Sequence, residues 1–247
     1  MLPADLIAAL DTVAATPRLL VASDFDGTLS PIVNNPADAR ALPAGSAALL
    51  DLAALPDTFV ALVSGRALDV LRELSGMPDS VHLVGSHGAE FNTGFTQTVD
   101  TALLAEIVDS LTEIANRYPG AAVETKPASA ALHVRNASAA DGEAALAAAR
   151  EAGKQWAAEP TEGKAVLEFA VVTTNKGSAI DVLRERDDAT AVVFLGDDVT
   201  DEKAFARLRD GDVGVKVGPG PSAAQYRVGS PEDVAEALAY LAARRAG

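Results

Sequence analysis

The sequence predicts an α/β fold: a doubly wound, Rossmann-like parallel sheet with an α+β cap domain inserted into it. Three observations predict it. Short apolar runs alternate with amphipathic stretches at both ends of the chain, the pattern of strands covered on both faces by crossover helices. Three of those runs finish in polar clusters, "DFDGT", "SGR" and "GDD". Between the two alternating halves the pattern changes to long helix, hairpin, long helix and strand, which reads as an inserted unit.

Taken in order, Leu2 to Ala15 repeats apolar residues at helical spacing, and Leu19 to Phe25 is a short apolar strand. Pro43 to Leu55 is a helix opened by proline, and Thr58 to Val63 is a strand. Ala67 to Leu74 is a helix and Val81 to Val84 a strand. Thr101 to Tyr118 is a long amphipathic helix. "AAVETKP" and "SAALHVRNA" are alternating runs joined by a turn through Pro127 and Ser129, so they form an antiparallel hairpin. Ala139 to Trp156 is a second long helix and "KAVLEFAV" a further strand. The first pattern then returns: helix Lys176 to Arg186, strand Ala191 to Leu195, helix Asp201 to Arg209, strand Val213 to Val217 and helix Pro231 to Arg244. The expected division is a core of residues 1–90 and 173–247 with a cap of residues 91–172.

Composition narrows the function. Hydrophobic residues are 49% of the 247, enough for a sizeable core, while aromatics at 4% supply no base-stacking platform. The net charge of −15 and the lack of a basic stripe argue against nucleic-acid and anionic-membrane partners. With no cysteine, disulfides, thiolate metal sites and cysteine nucleophiles are excluded. The N-terminal stretch carries Asp5 and Asp11 without a basic segment, so it does not read as a signal peptide. A cytoplasmic monomer acting on a small molecule is the expectation.

In open parallel sheets ligands bind beyond the carboxyl ends of the strands. There the sequence places Asp24, Asp26, Gly27 and Thr28 after the first strand, and Ser64, Gly65 and Arg66 after the second. Asp197 follows the Ala191 strand, with Asp198 and Asp201 behind it. Lys176 opens a helix capped by Thr174 or Asn175 beside them. Several carboxylates cannot share a small site as anions without a cation. All-oxygen ligands with few histidines point to Mg²⁺. Asp24 can then attack phosphorus, and Asp26 can protonate the leaving oxygen and later deprotonate a water. Gly27, Thr28, Ser64, Gly65 and Lys176 are placed to hold phosphoryl oxygens. A lone D-x-D is otherwise a turn or a capping pair; the joint order of four clusters is what argues for phosphoryl transfer.

Those residues resemble the haloacid dehalogenase-like phosphatase superfamily, whose four motifs match "DFDGTL", Ser64 in "LVSGR", Lys176 and "GDDVTDE" in order. The resemblance is closer to the trehalose-6-phosphate phosphatase family, through "GSHGAE", "VETKPASAALHVR" and the "LE" before the lysine motif. It implies that Asp24 is the nucleophile, Asp26 the acid/base, and that Asp24, the Asp26 carbonyl and Asp197 bind Mg²⁺. It also implies that Glu124, Lys126 and Glu168 contact the sugar. Phe25 departs mildly from the family, where many members carry tyrosine.

Strand alternation gives the cap residues an independent reading. Residues two apart share a face, so Glu124 with Lys126, and His133 with Arg135, are paired in orientation. With a hairpin loop near Pro127 to Ala130, Glu124 is expected opposite His133. Glu168, between Leu167 and Phe169, joins the same polar face. Arg66 is a candidate phosphate or sugar contact, His87 and Gly88 end the Val81 strand at the same edge, and His82 reads as structural. Two alternatives stay open: another substrate, such as sucrose phosphate or a glycosylglycerate phosphate, and a phosphorylatable sugar-phosphate sensor without turnover.

Overall fold

The computed structural model describes residues 2–95, 98–172 and 174–247. Two compact units result: Met1–Gly94 with Thr174–Gly247, and Phe95–Thr173. Residue 173, the expected start of the second core segment, lies outside the described residues.

The first unit begins with α1 (Ala4–Ala14), β1 (Leu19–Ser23), α2 (Pro43–Ala53), β2 (Thr58–Val63), α3 (Leu68–Ser75), β3 (Val81–Gly85) and β4 (Glu90–Phe91), and β5 (Gly94–Phe95) falls on the boundary with the second. The second unit contains α4 (Thr101–Ala115), β6 (Ala122–Lys126), β7 (Ser129–His133), α5 (Ala139–Gly153), β8 (Glu159–Gly163) and β9 (Val166–Ala170). The first unit resumes with α6 (Lys176–Arg186), β10 (Ala191–Gly196), α7 (Glu202–Phe205), β11 (Val213–Val217), β12 (Tyr226–Val228) and α8 (Pro231–Ala246).

The large sheet has the order β12-β11-β10-β1-β2-β3-β4-β5. From β12 to β3 every pairing is parallel, and β4 returns antiparallel to β3. Strand β1 is buried at every residue because both its faces are covered. Leu19 and Val21 pack with Leu6, Leu49 and Leu238 on one side. Leu20 and Ala22 pack with Ile180, Leu183 and Phe205 on the other. Full burial of each such leucine is worth about 2 kcal/mol relative to exposure. Register decides where the chemistry falls. Ser23 pairs with Leu195 on one side and Leu62 on the other, so Asp24, Gly196 and Val63 lie level at one sheet edge.

The second unit is a four-stranded antiparallel sheet, β6-β7-β9-β8. Its apolar face (Leu132, Leu167, Phe169) packs with Ile107 and Leu111 of α4 and Ala145 and Ala149 of α5. Trp156 meets Phe169 edge to face at 4.9 Å. Asp100 and Ser138 cap the two helices by accepting from the Leu103 and Asp141 N–H groups.

Several elements differ from the sequence expectation. Strand β8, "EPTEG", is polar and contains Pro160, which an edge strand tolerates. The short β4, β5 and β12 have no periodic signal. The expected helix Asp201 to Arg209 shortens to α7, and Asp212 captures the Arg209 N–H at 2.7 Å just beyond it. The hairpin turn is only Pro127 and Ala128. Glu124 therefore pairs with Ala131, and Ala122 takes the place opposite His133. Arg135 falls beyond the end of β7, in an exposed turn, so its expected partnership with His133 along a strand is not formed. No helix among the described residues is long and apolar enough to cross a membrane.

Candidate active site

The residue after β1 is Asp24, 4% exposed, and its N–H donates to the Leu195 carbonyl at 2.9 Å. That bond continues the β1–β10 ladder by one residue and fixes where the carboxylate points. Lys176, the first residue of α6, donates Nζ–H bonds to Asp24 Oδ1 at 2.6 Å and Asp201 Oδ1 at 2.7 Å. Asn175 caps that helix by accepting from the Ser178 N–H, which settles the choice of cap. The second oxygen of Asp201 accepts from the N–H groups of Asp197 and Asp198, each at 3.0 Å. Asp201 is thus fully buried with both oxygens engaged.

Asp24, Asp197 and Asp201 bring one carboxylate oxygen each to within 4.8 Å of one another. Burial pushes the Asp24 carboxyl well above the usual carboxylate range; Lys176 pulls it down, and Asp201 and Asp197 add to the rise. Burial also raises Asp197, reinforced by Asp201. Burial alone would lower the Lys176 pKa, yet Asp24 and Asp201 carry it upward, so the ammonium stays charged. Three carboxylates therefore share one lysine, and a proton or a further cation must balance the remainder. Asp197 Oδ1 is buried without a hydrogen-bond partner among the described residues. An orphaned carboxylate oxygen in an anion cluster fits a hard divalent cation. Gly27 keeps this space open. Its φ is +83°, and a Cβ there would lie 2.1 Å from Asp197 Oδ2.

Asp26 has a different partner. Arg66 grips it with Nε–H to Oδ2 at 2.6 Å and Nη2–H to Oδ1 at 2.7 Å. Arg66 was expected at substrate; here its fork holds the second aspartate, a bidentate pairing that fixes orientation as well as charge. Ser64 is buried, and its Oγ accepts from the Arg66 N–H at 3.2 Å. The His87 ring lies against Gly65, where a Cβ would come within 2.4 Å of it. Gly88 packs near the Asn175 carbonyl, beside the Lys176 helix start. Thr28 is buried, with Oγ1 lacking a partner among the described residues. Asp198 is exposed and accepts from its own neighbour, the Val199 N–H. His82, at the other end of β3, lies 3.4 Å from Asp187.

Lys216 escaped the sequence reading. It is buried in β11, opposite Gly196, and donates to the Asp197 carbonyl. The signal was a lysine inside the otherwise apolar run "VGVKV". Glu90 was also missed, although "GSHGAE" contains it.

The polar face of the second unit forms a network. Lys126 Nζ donates to Glu168 Oε2 at 2.9 Å and Ser129 Oγ donates to Glu168 Oε1 at 2.6 Å. Glu124 lies 2.8 Å from His133 Nε2, a diagonal contact two residues along from their ladder partners. Ser129, expected in the turn, is instead the first residue of β7 and the buried anchor of Glu168.

A doubly wound core with an aspartate after its central strand, a hydroxyl after the next, a buried lysine and an acidic loop is the arrangement of the haloacid dehalogenase-like fold class. Comparison with known proteins gives the family within that class. The chain belongs to the trehalose-phosphatase family, whose model matches residues 22–232. It is 35% identical over 220 residues to the trehalose-6-phosphate phosphatase of Escherichia coli, covering 85% of this chain and 82% of that one. It is also 35% identical over 240 residues to the trehalose-phosphate phosphatase of Mycobacterium avium, covering 89% of this chain and 61% of that one. With a Mycobacterium tuberculosis protein named as an uncharacterized glycosyl hydrolase it shares 35% identity over 249 residues, yet spans only 18% of that protein's length. The fold matches the C-terminal domain of the Candida albicans trehalose-6-phosphate phosphatase with a TM-score of 0.82 at 24% identity, covering 98% of each chain.

Proposed function

We propose that this chain hydrolyses trehalose 6-phosphate to trehalose and phosphate, with Mg²⁺ in its carboxylate cluster. The observation that carries this reading is Asp24: a buried carboxylate at the strand edge, held by Lys176 through Oδ1 and clustered with Asp197 and Asp201. Attack on phosphorus forms an aspartyl-phosphate while the sugar oxygen departs with a proton from Asp26. Asp26 then takes a proton from a water, which attacks the same phosphorus and releases phosphate and Asp24. Ser64, Thr28 and Lys176 are the groups that would hold phosphoryl oxygens. Asp24, Asp197 and the Asp26 carbonyl would hold the metal, which when bound offsets the charge of the phosphoryl group. Asp201, whose oxygens accept from Lys176 and from two backbone N–H groups, is assigned to orienting its neighbours. Glu124, Lys126, His133 and Glu168 are the candidates for recognising sugar hydroxyls.

The test is phosphate release from trehalose 6-phosphate beside glucose 6-phosphate and sucrose phosphate, with and without EDTA. Preference for the trehalose ester and loss with EDTA are expected. Equal turnover of glucose 6-phosphate would remove the disaccharide assignment. Asp24→Asn should abolish release, by ~1,000-fold or more. A beryllofluoride adduct should form on Asp24; its formation elsewhere would refute the covalent step.

A further inference from the structure

The geometry points to Glu90 as a positioning residue: it clamps the turn carrying His87 onto the loop carrying Ser64 and Arg66, and through Arg66 it sets the position of Asp26. The inference rests on the reading of Asp26 as the acid/base of the proposed reaction.

Glu90 is buried on β4, where a carboxylate is costly unless its oxygens are used. Its Oε2 is used twice, accepting from the Leu68 N–H at 3.0 Å and from Ser86 Oγ at 2.7 Å. Leu68 opens α3, and the residue at its cap, Ala67, has no side chain able to accept. Glu90 supplies that acceptor from another strand, and its negative charge suits a helix N-terminus.

The second partner, Ser86, begins an unusual turn. Ser86, His87 and Gly88 have φ values of 48°, 54° and 109°, so two side-chain-bearing residues stand in the left-handed region in succession. Such a conformation persists only where its surroundings over-determine it, and it gathers at functional sites. Here the surroundings are the second-strand loop. The Ser86 N–H donates to the Arg66 carbonyl at 2.7 Å and the His87 N–H to the Ser64 carbonyl at 2.9 Å. Gly85 admits this approach, since a Cβ on it would lie 2.5 Å from the Leu68 nitrogen. Glu90 closes the ring of contacts by holding both loops with one oxygen. Arg66 projects from that ring to Asp26, so a loosened ring moves the fork that orients the acid/base.

Four variants test the clamp: Glu90→Ala, Glu90→Gln, Ser86→Ala and the Ala/Ala double. Each is assayed with trehalose 6-phosphate and para-nitrophenyl phosphate, with melting curves alongside. Glu90→Ala should lower kcat for the sugar ester by ~30–100-fold, the scale of a sub-ångström to ångström misplacement. On para-nitrophenyl phosphate, whose leaving group needs little protonation, the first-turnover burst of nitrophenolate should slow by at most about fivefold, while steady-state turnover, which still needs Asp26 to activate water, should fall with that of the sugar ester. Glu90→Gln should recover most activity, because its amide oxygen can accept both bonds. Ser86→Ala should lower kcat by about fivefold, and the double variant should be no worse than Glu90→Ala.

Unchanged kcat and KM in Glu90→Ala with a lowered Tm would reduce Glu90 to a helix cap and overturn the inference. So would equal losses of the first-turnover rate on both substrates, or losses that multiply in the double variant. Should Glu90→Ala not fold, Ser86→Ala decides alone through the same two-substrate comparison. A wild type inactive on trehalose 6-phosphate but active on another sugar phosphate would sink the substrate assignment only, and the comparison repeated on that ester would still judge the clamp.

Discussion

Lys176 is the residue on which the charge balance of the core turns. It is 2% exposed and bonded to two buried carboxylates. Removing one member of a buried ion pair leaves charge with neither water nor partner. Lys176→Met should therefore cost about 3 kcal/mol of stability as well as activity, read from urea unfolding at neutral pH. A stability change under ~1 kcal/mol would mean that the carboxylates are already neutralised by protons. Added Mg²⁺ should recover part of the stability but not the turnover, because the lysine is also expected to hold a phosphoryl oxygen.

At the scale of elements, hydrogen bonds between neighbouring strands and helices decide how firmly each group is held. In the β6–β7–β9 sheet, Glu168 depends on Ser129 from the adjacent strand β7 and on Lys126 from β6 beyond it. Ser129→Ala removes one bond and leaves the fold of the hairpin untouched. It should raise KM for the sugar phosphate by ~5–10-fold with kcat near wild type; an unchanged KM would dismiss Glu168 as a sugar contact or Ser129 as its anchor. In the core, α8 is tied down by Arg245. Its guanidinium donates to the carbonyls of Ala14, Thr16, Pro17 and Asp57 and to Thr58 Oγ1, joining the helix end to α1 and to the start of β2. Arg245→Ala should lower stability by about 2 kcal/mol in denaturant unfolding while leaving kcat unchanged at low temperature, since the edge it secures is opposite to the strand ends that carry the chemistry.

For the whole molecule, the raised carboxyls of Asp24 and Asp197 couple folding, protons and metal. Between the ordinary carboxylate value near 4 and the raised native values, the folded state binds more protons than the unfolded chain. The stability that these two groups contribute is thus full at low pH and is lost as pH rises through their native values. Metal-free protein should show this as a Tm that falls with pH more steeply than in Asp24→Asn, which lacks one of the titrating groups. Because cation and proton compete for the same oxygens, Mg²⁺ should raise Tm more at pH 8 than at pH 5. A Tm gain independent of pH would place the ion elsewhere.

Much of this was legible in one dimension because burial on both faces forces a continuous apolar run. β1, β2, β10 and β11 carry that signature, and the polar residues that follow them mark the sheet edge. That Asp24, Ser64 and Asp197 fall at one sheet edge could be read from position alone, since parallel strands must deliver their ends together. Partnership could not. That Arg66 grips Asp26, that Ser129 anchors Glu168, that Arg135 lies past its strand and that Glu90 joins two loops all depend on side-chain reach and register across residues distant in sequence. A strand's alternation tells which face a residue takes; only the packed fold, through a two-residue turn or a left-handed backbone step, decides which atom it meets there.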